Sequence, residues 1–123
     1  MKSIIEAAWD NRSLLETEKT RNAIKSVIRQ LDDGKIRIAE KNTHFWKIND
    51  WIKKAIILYF PIQKMKSIEI GPFEFHDKIS LKNDYAKKNI RVVPPAVVRY
   101  GAYVASGTIL MPSYTNIGAY VDT

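Results

Sequence analysis

Stepping by six residues from Val97 lands on Tyr103, Ile109, Thr115 and Val121, and four of these five positions are bulky or β-branched apolar residues. The neighbouring series Pro95, Gly101, Gly107, Ser113 and Ala119 is small apart from the proline, and a third, Val92, Val98, Val104 and Leu110, stays aliphatic until Asn116. Three series in phase at a fixed period mark a stacked solenoid, because each repeat buries its apolar side only against its neighbours. A pair of ordinary strands with glycine turns would not need that phasing. A triangular parallel β-helix does: each side is one short strand plus a turn, and three hexapeptides close a coil. Large apolar side chains fill the interior, and small residues let the chain turn tightly. Roughly thirty residues make fewer than two coils, whereas repeat arrays need about three stacked units for a continuous core. Either the coil docks on the rest of the chain or on a partner, or the chain is incomplete. Val121-Asp122-Thr123 is expected to leave an open strand edge, a template for association.

The texture of the chain changes where these series begin. From Ile90 only Arg91, Arg99 and Asp122 are ionised, whereas the preceding part is charged and partly helical in period. A boundary near Ile90 divides the chain into residues 1–89 and 90–123. With 123 residues, 46% of them hydrophobic, one ordinary core with an appendage is expected. An amphipathic stretch follows Met1-Lys2-Ser3, and no apolar run nears the ~18 residues of a membrane span, so the expected location is cytoplasmic and no membrane partner is expected. The absence of cysteine excludes disulfides, thiolate zinc sites and cysteine nucleophiles. His44 and His76 are too few and too far apart to argue for a metal. The net charge of +7 is dispersed and mixed with acids, with no basic face carrying interleaved aromatics, so no nucleic-acid partner is expected. That positive field could still attract a small polyanion such as a dicarboxylate.

Apolar spacing predicts three helices in the first part. Ile4, Ile5, Ala8 and Trp9 place one over about residues 2–12. Ala23, Ile24, Val27, Ile28 and Leu31 line a second, closed by Asp33-Gly34. Trp51, Ala55, Leu58 and Tyr59 mark a third, capped by Asn49 or Asp50 and ended by Pro61. Alternation at residues 36–39 and 45–48 around a turn at 41–44 predicts a small hairpin. Strand-like stretches flank Gly71-Pro72, and residues 84–88 suit one helical turn stopped by Asn89. Pro94-Pro95 is expected to hold the following segment extended.

Arg91-Val92-Val93-Pro94-Pro95-Ala96-Val97-Val98-Arg99-Tyr100-Gly101-Ala102, Leu110-Met111-Pro112-Ser113-Tyr114 and Asn116-Ile117-Gly118-Ala119-Tyr120-Val121-Asp122 resemble the bacterial tetrahydrodipicolinate N-succinyltransferases. Leu31-Asp32-Asp33-Gly34, Arg37-Ile38-Ala39-Glu40 and Trp51-Ile52-Lys53-Lys54-Ala55 add weaker support, and the resemblance covers essentially the whole chain. It implies an α+β fold: an N-terminal, mainly helical domain with short strands, followed by the first coils of a left-handed parallel β-helix, here truncated. It also implies a trimer with active sites between neighbouring β-helices, and a reaction moving succinyl from succinyl-CoA to the amino group of ring-opened tetrahydrodipicolinate in lysine and diaminopimelate synthesis. Succinyl-CoA is then a co-substrate, and no bound cofactor is expected.

Two site residues follow from the resemblance. Arg91 matches the arginine that binds the substrate dicarboxylate, a task suited to a planar forked guanidinium. Asp122 matches either the aspartate that takes the proton from the attacking amine or a structural residue one repeat earlier. In the family two Val-Asp pairs stand six residues apart before the threonine, whereas here there is one. The family's CoA-binding surface and second active-site carboxylate have no counterpart up to Thr123, so the isolated chain is expected to be inactive. The alternative is a non-catalytic capping or trimerisation module that uses the open edge of its β-helix.

Overall fold

Residues 1–123 are described by a computed structural model. Helices α1 (Lys2–Asp10), α2 (Glu18–Asp32) and α3 (Asp50–Ile62) are joined in part by a 3-10 turn at Arg12–Glu16. α1 is shorter than its apolar spacing suggests because Asn11 becomes extended and its Oδ1 accepts from the Ser13 N–H at 3.2 Å, which starts the 3-10 turn. Thr17 caps α2 through its Oγ1, which accepts from the Thr20 N–H. The expected stripes meet: Ile5 and Ala8, then Ile24, Val27, Ile28 and Leu31, then Ile52, Ala55, Leu58 and Tyr59 form one core with Ile79 and Ile117. In α3 the fully buried place falls to Ile52 rather than to Trp51, which is half-buried. Pro61 lies inside the last turn of α3 rather than ending it. So close to the C-terminus, its missing N–H costs a single ladder bond. The helix stops at extended Gln63, whose N–H donates to the Phe60 carbonyl.

Two hairpins follow the predicted pattern with one shift. β1 (Ala39–Lys41) pairs antiparallel with β2 (Trp46–Ile48), so the first strand starts three residues later than its alternation indicates. Ile36 and Ile38, which carry that alternation, pack on the helical core instead. β3 (Lys66–Ile70) and β4 (Phe73–Asp77) pair antiparallel across Gly71-Pro72, with Ile70 opposite Phe73. Residues 84–88 make a helical turn in which the Lys88 N–H donates to the Asp84 carbonyl, and Asn89 stops it with φ 55°.

Beyond Ile90 come six two-residue strands: β5 (Arg91–Val92), β6 (Val97–Val98), β7 (Tyr103–Val104), β8 (Ile109–Leu110), β9 (Tyr114–Thr115) and β10 (Tyr120–Val121). They pair in parallel as β5 with β8, β6 with β9 and β7 with β10. Pro94 and Pro95 occupy the first turn, closed by the Ala96 N–H donating to the Val93 carbonyl, instead of an extended segment. A fixed proline φ suits a turn as well as a strand edge, and here the turn uses it. The repeat itself also departs from strict phase. Arg91 stands opposite Ile109, but Val97 stands opposite Tyr114 and Tyr103 opposite Tyr120, so the turn after Leu110 is one residue short. Inward places are held by Val98, Val104 and Leu110, all buried, while Ile109 is 57% exposed. After the short turn Thr115 faces Val98 and Val121 faces Val104 across the pairs. Two of the three series therefore join into one inward line, which is why the aliphatic run breaks at Asn116. No helix is long and apolar enough to cross a membrane.

The paired strands are fastened to the helices at one buried ion pair. Lys82 Nζ lies 2.7 Å from Asp32 Oδ1 and 3.1 Å from the Asp32 carbonyl, with side-chain exposures of 2% and 11%. The Gly101 N–H donates to the same carboxylate at 2.9 Å. Segment 79–82 runs antiparallel beside residues 98–100, with Leu81 opposite Arg99, the Lys82 N–H donating to the Val98 carbonyl and the Ser80 carbonyl accepting from the Tyr100 N–H. Removing one member of such a pair strands a buried charge, which costs about 3–5 kcal/mol. Lys82→Met is therefore expected to lower the unfolding free energy by about 3 kcal/mol, read from the urea midpoint by tryptophan fluorescence. A loss below about 1 kcal/mol would show that the pair is dispensable. Gly101 and Gly107 both have positive φ, but a Cβ on Gly101 would lie 2.7 Å from Ile117 Cγ1 whereas Gly107 faces open space. Gly107→Ala should carry only the backbone strain of about 1 kcal/mol, and Gly101→Ala at least twice that. Equal losses in the same measurement would rule out the packing contribution.

Candidate functional site

Each of the two sequence-derived site residues sits beside an inward residue and, by strand alternation, points the other way. Arg91 shares β5 with Val92, which packs against the smaller core of Ile90, Val98, Ala102, Val104 and Leu110. Its backbone is held by an N–H bond to the Thr108 carbonyl at 3.0 Å, and its exposed guanidinium has no partner in the chain. Asp122 follows Val121 at the end of β10. Its Oδ1 accepts from the Thr123 N–H at 2.9 Å, and the side chain is exposed. The two residues belong to different strand pairs, and neither a hydrogen bond nor an ion pair joins them. What they share is an outward-facing, unneutralised charge. No group of three or more His, Asp or Glu side chains is close enough to hold a metal ion.

The outward face of β7 and β10 gathers residues that the repeat pattern does not single out. The Tyr103 and Tyr120 rings pack at a 38° tilt with centroids 4.6 Å apart, and the Arg37 guanidinium lies 3.7 Å from the centroid of the Tyr120 ring. These residues come from positions far apart in sequence. Only the motif Arg37-Ile38-Ala39-Glu40 hinted that this loop matters. The remaining arginine of the strand segment is occupied: Arg99 bonds Asp77 Oδ2 at 2.8 Å and Asn116 Oδ1 at 3.2 Å.

Burial pushes the Asp77 carboxyl up, but the Lys78 N–H and the Arg99 guanidinium outweigh it and hold its pKa below the usual carboxylate range. A depressed pKa contributes stability that is present above about pH 4 and lost as the pH falls through the folded-state value. Asp77 is partly in water, so salt weakens the effect. Asp77→Asn should flatten the acid limb of a stability-versus-pH curve below about pH 4 at low salt. An unchanged acid limb would remove this pair from the acid response.

Residues 1–62 match the family model described as tetrahydrodipicolinate N-succinyltransferase N-terminal. Proteins named 2,3,4,5-tetrahydropyridine-2,6-dicarboxylate N-succinyltransferase are similar to nearly the whole chain. That of Paraburkholderia phymatum is 43% identical over 99% of this chain and 48% of its own length, and that of Cupriavidus metallidurans 44% over 96% and 47%. That of Burkholderia cenocepacia is 41% identical over 99% and 48%. The chain thus spans about half the length of the curated relatives it matches. With its helical part matching the family model and its strand segment carrying the family strings, the chain belongs to the tetrahydrodipicolinate N-succinyltransferase family.

Proposed function

We propose that this chain is the substrate-side part of an N-succinyltransferase that moves succinyl from succinyl-CoA to the amino group of ring-opened tetrahydrodipicolinate, in lysine and diaminopimelate synthesis. The observation that carries the reading is sequence identity of 41–44% to about half the length of enzymes of that name. In this reading residues 1–89 form the helical domain and residues 90–123 the first coils of a left-handed parallel β-helix. The three parallel strand pairs at near-constant spacing support that architecture. The protein works in the cytoplasm as a trimer, with sites between neighbouring β-helices.

Arg91 grips a carboxylate of the substrate through its forked guanidinium. Asp122 takes the proton of the amine as its nitrogen attacks the thioester carbonyl; the C–S bond breaks, the amide forms, and CoA leaves as the thiol after proton return. Both side chains are exposed and carry no opposite charge within the chain, which leaves them free to contact a ligand. The CoA contacts come from outside this segment.

Free-thiol release from succinyl-CoA in the presence of tetrahydrodipicolinate should therefore be absent with the 123-residue chain alone. Turnover at an ordinary enzyme rate would overturn the placement of the CoA contacts. Calorimetric binding of pimelate, a dicarboxylate of matching length, should weaken about tenfold in Arg91→Ala. Unchanged affinity would remove Arg91 from the site.

A further inference from the structure

Arg37 lies between α2 and β1, in a stretch whose backbone is pinned. Asn49 Nδ2 donates to the Arg37 carbonyl at 2.8 Å, and the Asn49 N–H donates to the Ile38 carbonyl at 2.7 Å. The guanidinium rests on Tyr120, Tyr120 is backed by Tyr103, and Tyr103 fills the space over Gly34, where a Cβ would come within 2.6 Å of the ring. Four residues from three parts of the chain thus hold one planar cation in place.

That cation is unpaired. Arg21 has the Leu15 carbonyl and Glu16, and Arg99 has Asp77 and Asn116, but the Arg37 guanidinium makes no hydrogen bond or ion pair. Its Nε is buried without a partner, while the terminal nitrogens reach solvent. Leaving a buried donor unsatisfied is costly and uncommon in folded chains, and such a group calls for an explanation. A purely structural cation–π clamp would gain from a carboxylate in contact with it, and no Asp or Glu of residues 1–123 lies within ion-pair distance of Arg37. A guanidinium fixed on an aromatic face with its terminal N–H groups unpaired is pre-organised to grip a carboxylate.

The neighbourhood indicates whose carboxylate. Asp122 lies two residues beyond Tyr120, so strand alternation puts both on the outward side, roughly 7 Å apart along the chain. Arg91 belongs to the β5/β8 pair and so offers a separate contact. We propose that Arg37 is a second anion-binding residue, which holds a carboxylate of a small-molecule ligand on the outward face of β7 and β10 beside Asp122. Only the identity of the ligand as a reactant rests on the succinyl-transfer reading; the binding does not.

The test is a titration of the full 123-residue chain with succinate at ionic strength held constant by sodium chloride, followed through arginine Nε–Hε NMR signals. The Arg37 signal, identified by its loss in Arg37→Lys, should shift saturably, and Arg37→Gln should weaken succinate binding about tenfold. No shift, or a shift that never saturates, overturns the proposal. The wild-type titration decides this even if Arg37→Gln fails to fold. The Arg91 signal in the same spectra separates the two readings: movement of Arg91 with Arg37 silent leaves the succinyltransferase site standing and removes this one. Movement of Arg37 alone supports this site and leaves Arg91 to be decided by the pimelate titration.

Discussion

The Asp32 carboxylate is the point on which the molecule is hung together. It ends α2, where the helix macrodipole disfavours a negative charge and the last carbonyls lack partners. Lys82 answers both needs with one ammonium, bonding the carboxylate and the Asp32 carbonyl, and the Gly101 N–H takes up a further lone pair. Three separate pieces of chain therefore meet at one satisfied, largely buried centre: a helix end, the segment 79–82 and a turn of the paired strands. Buried ion pairs add little net stability compared with apolar packing, but their geometry penalises other arrangements. Here that penalty sets how the strands sit on the helices.

Apolar packing extends what the ion pair aligns. Ile117 reaches from the strand turns into the helical core, and Gly101 has no side chain where Ile117 and Ile28 need the space. Gly118 likewise admits Ile38 and Ile56, so the loop after α2 lies against the outward face of β7 and β10. The fewer than two turns of paired strand bury little by themselves, and contact with the helices makes up part of the lack. Elsewhere apolar residues stay in water: Ile109, Met111 and Tyr114 on the strand segment, and Ile68, Ile70, Phe73 and Phe75 on the second hairpin.

The same docking determines only part of what the outward faces present. Arg91 and Asp122 face solvent because their neighbours face in, and that follows from alternation alone. The placement of Arg37 over Tyr120 follows from no local rule, since it requires α2, the loop behind it and the paired strands to be assembled first. Arg99 shows the opposite outcome: a residue of similar sequence setting, it is drawn to Asp77 and spent on structure.

Local rules read correctly from the sequence were the helical stripes, the Gly34 stop, the Gly71-Pro72 hairpin, the Asn89 turn and the six-residue period, because each depends on side chains only a few residues apart. The shifted start of β1, the passage of the helix through Pro61, the burial of Ile52 and the shortened turn after Leu110 depended on which surface another element had already claimed. Family membership and the two outward charges were likewise legible in strings such as Arg91-Val92-Val93-Pro94-Pro95. The Asp32–Lys82 centre and the Arg37–Tyr120 stack were not. Their partners lie 50 and 83 residues apart, and only the burial of apolar surface between helices and strands brings them together.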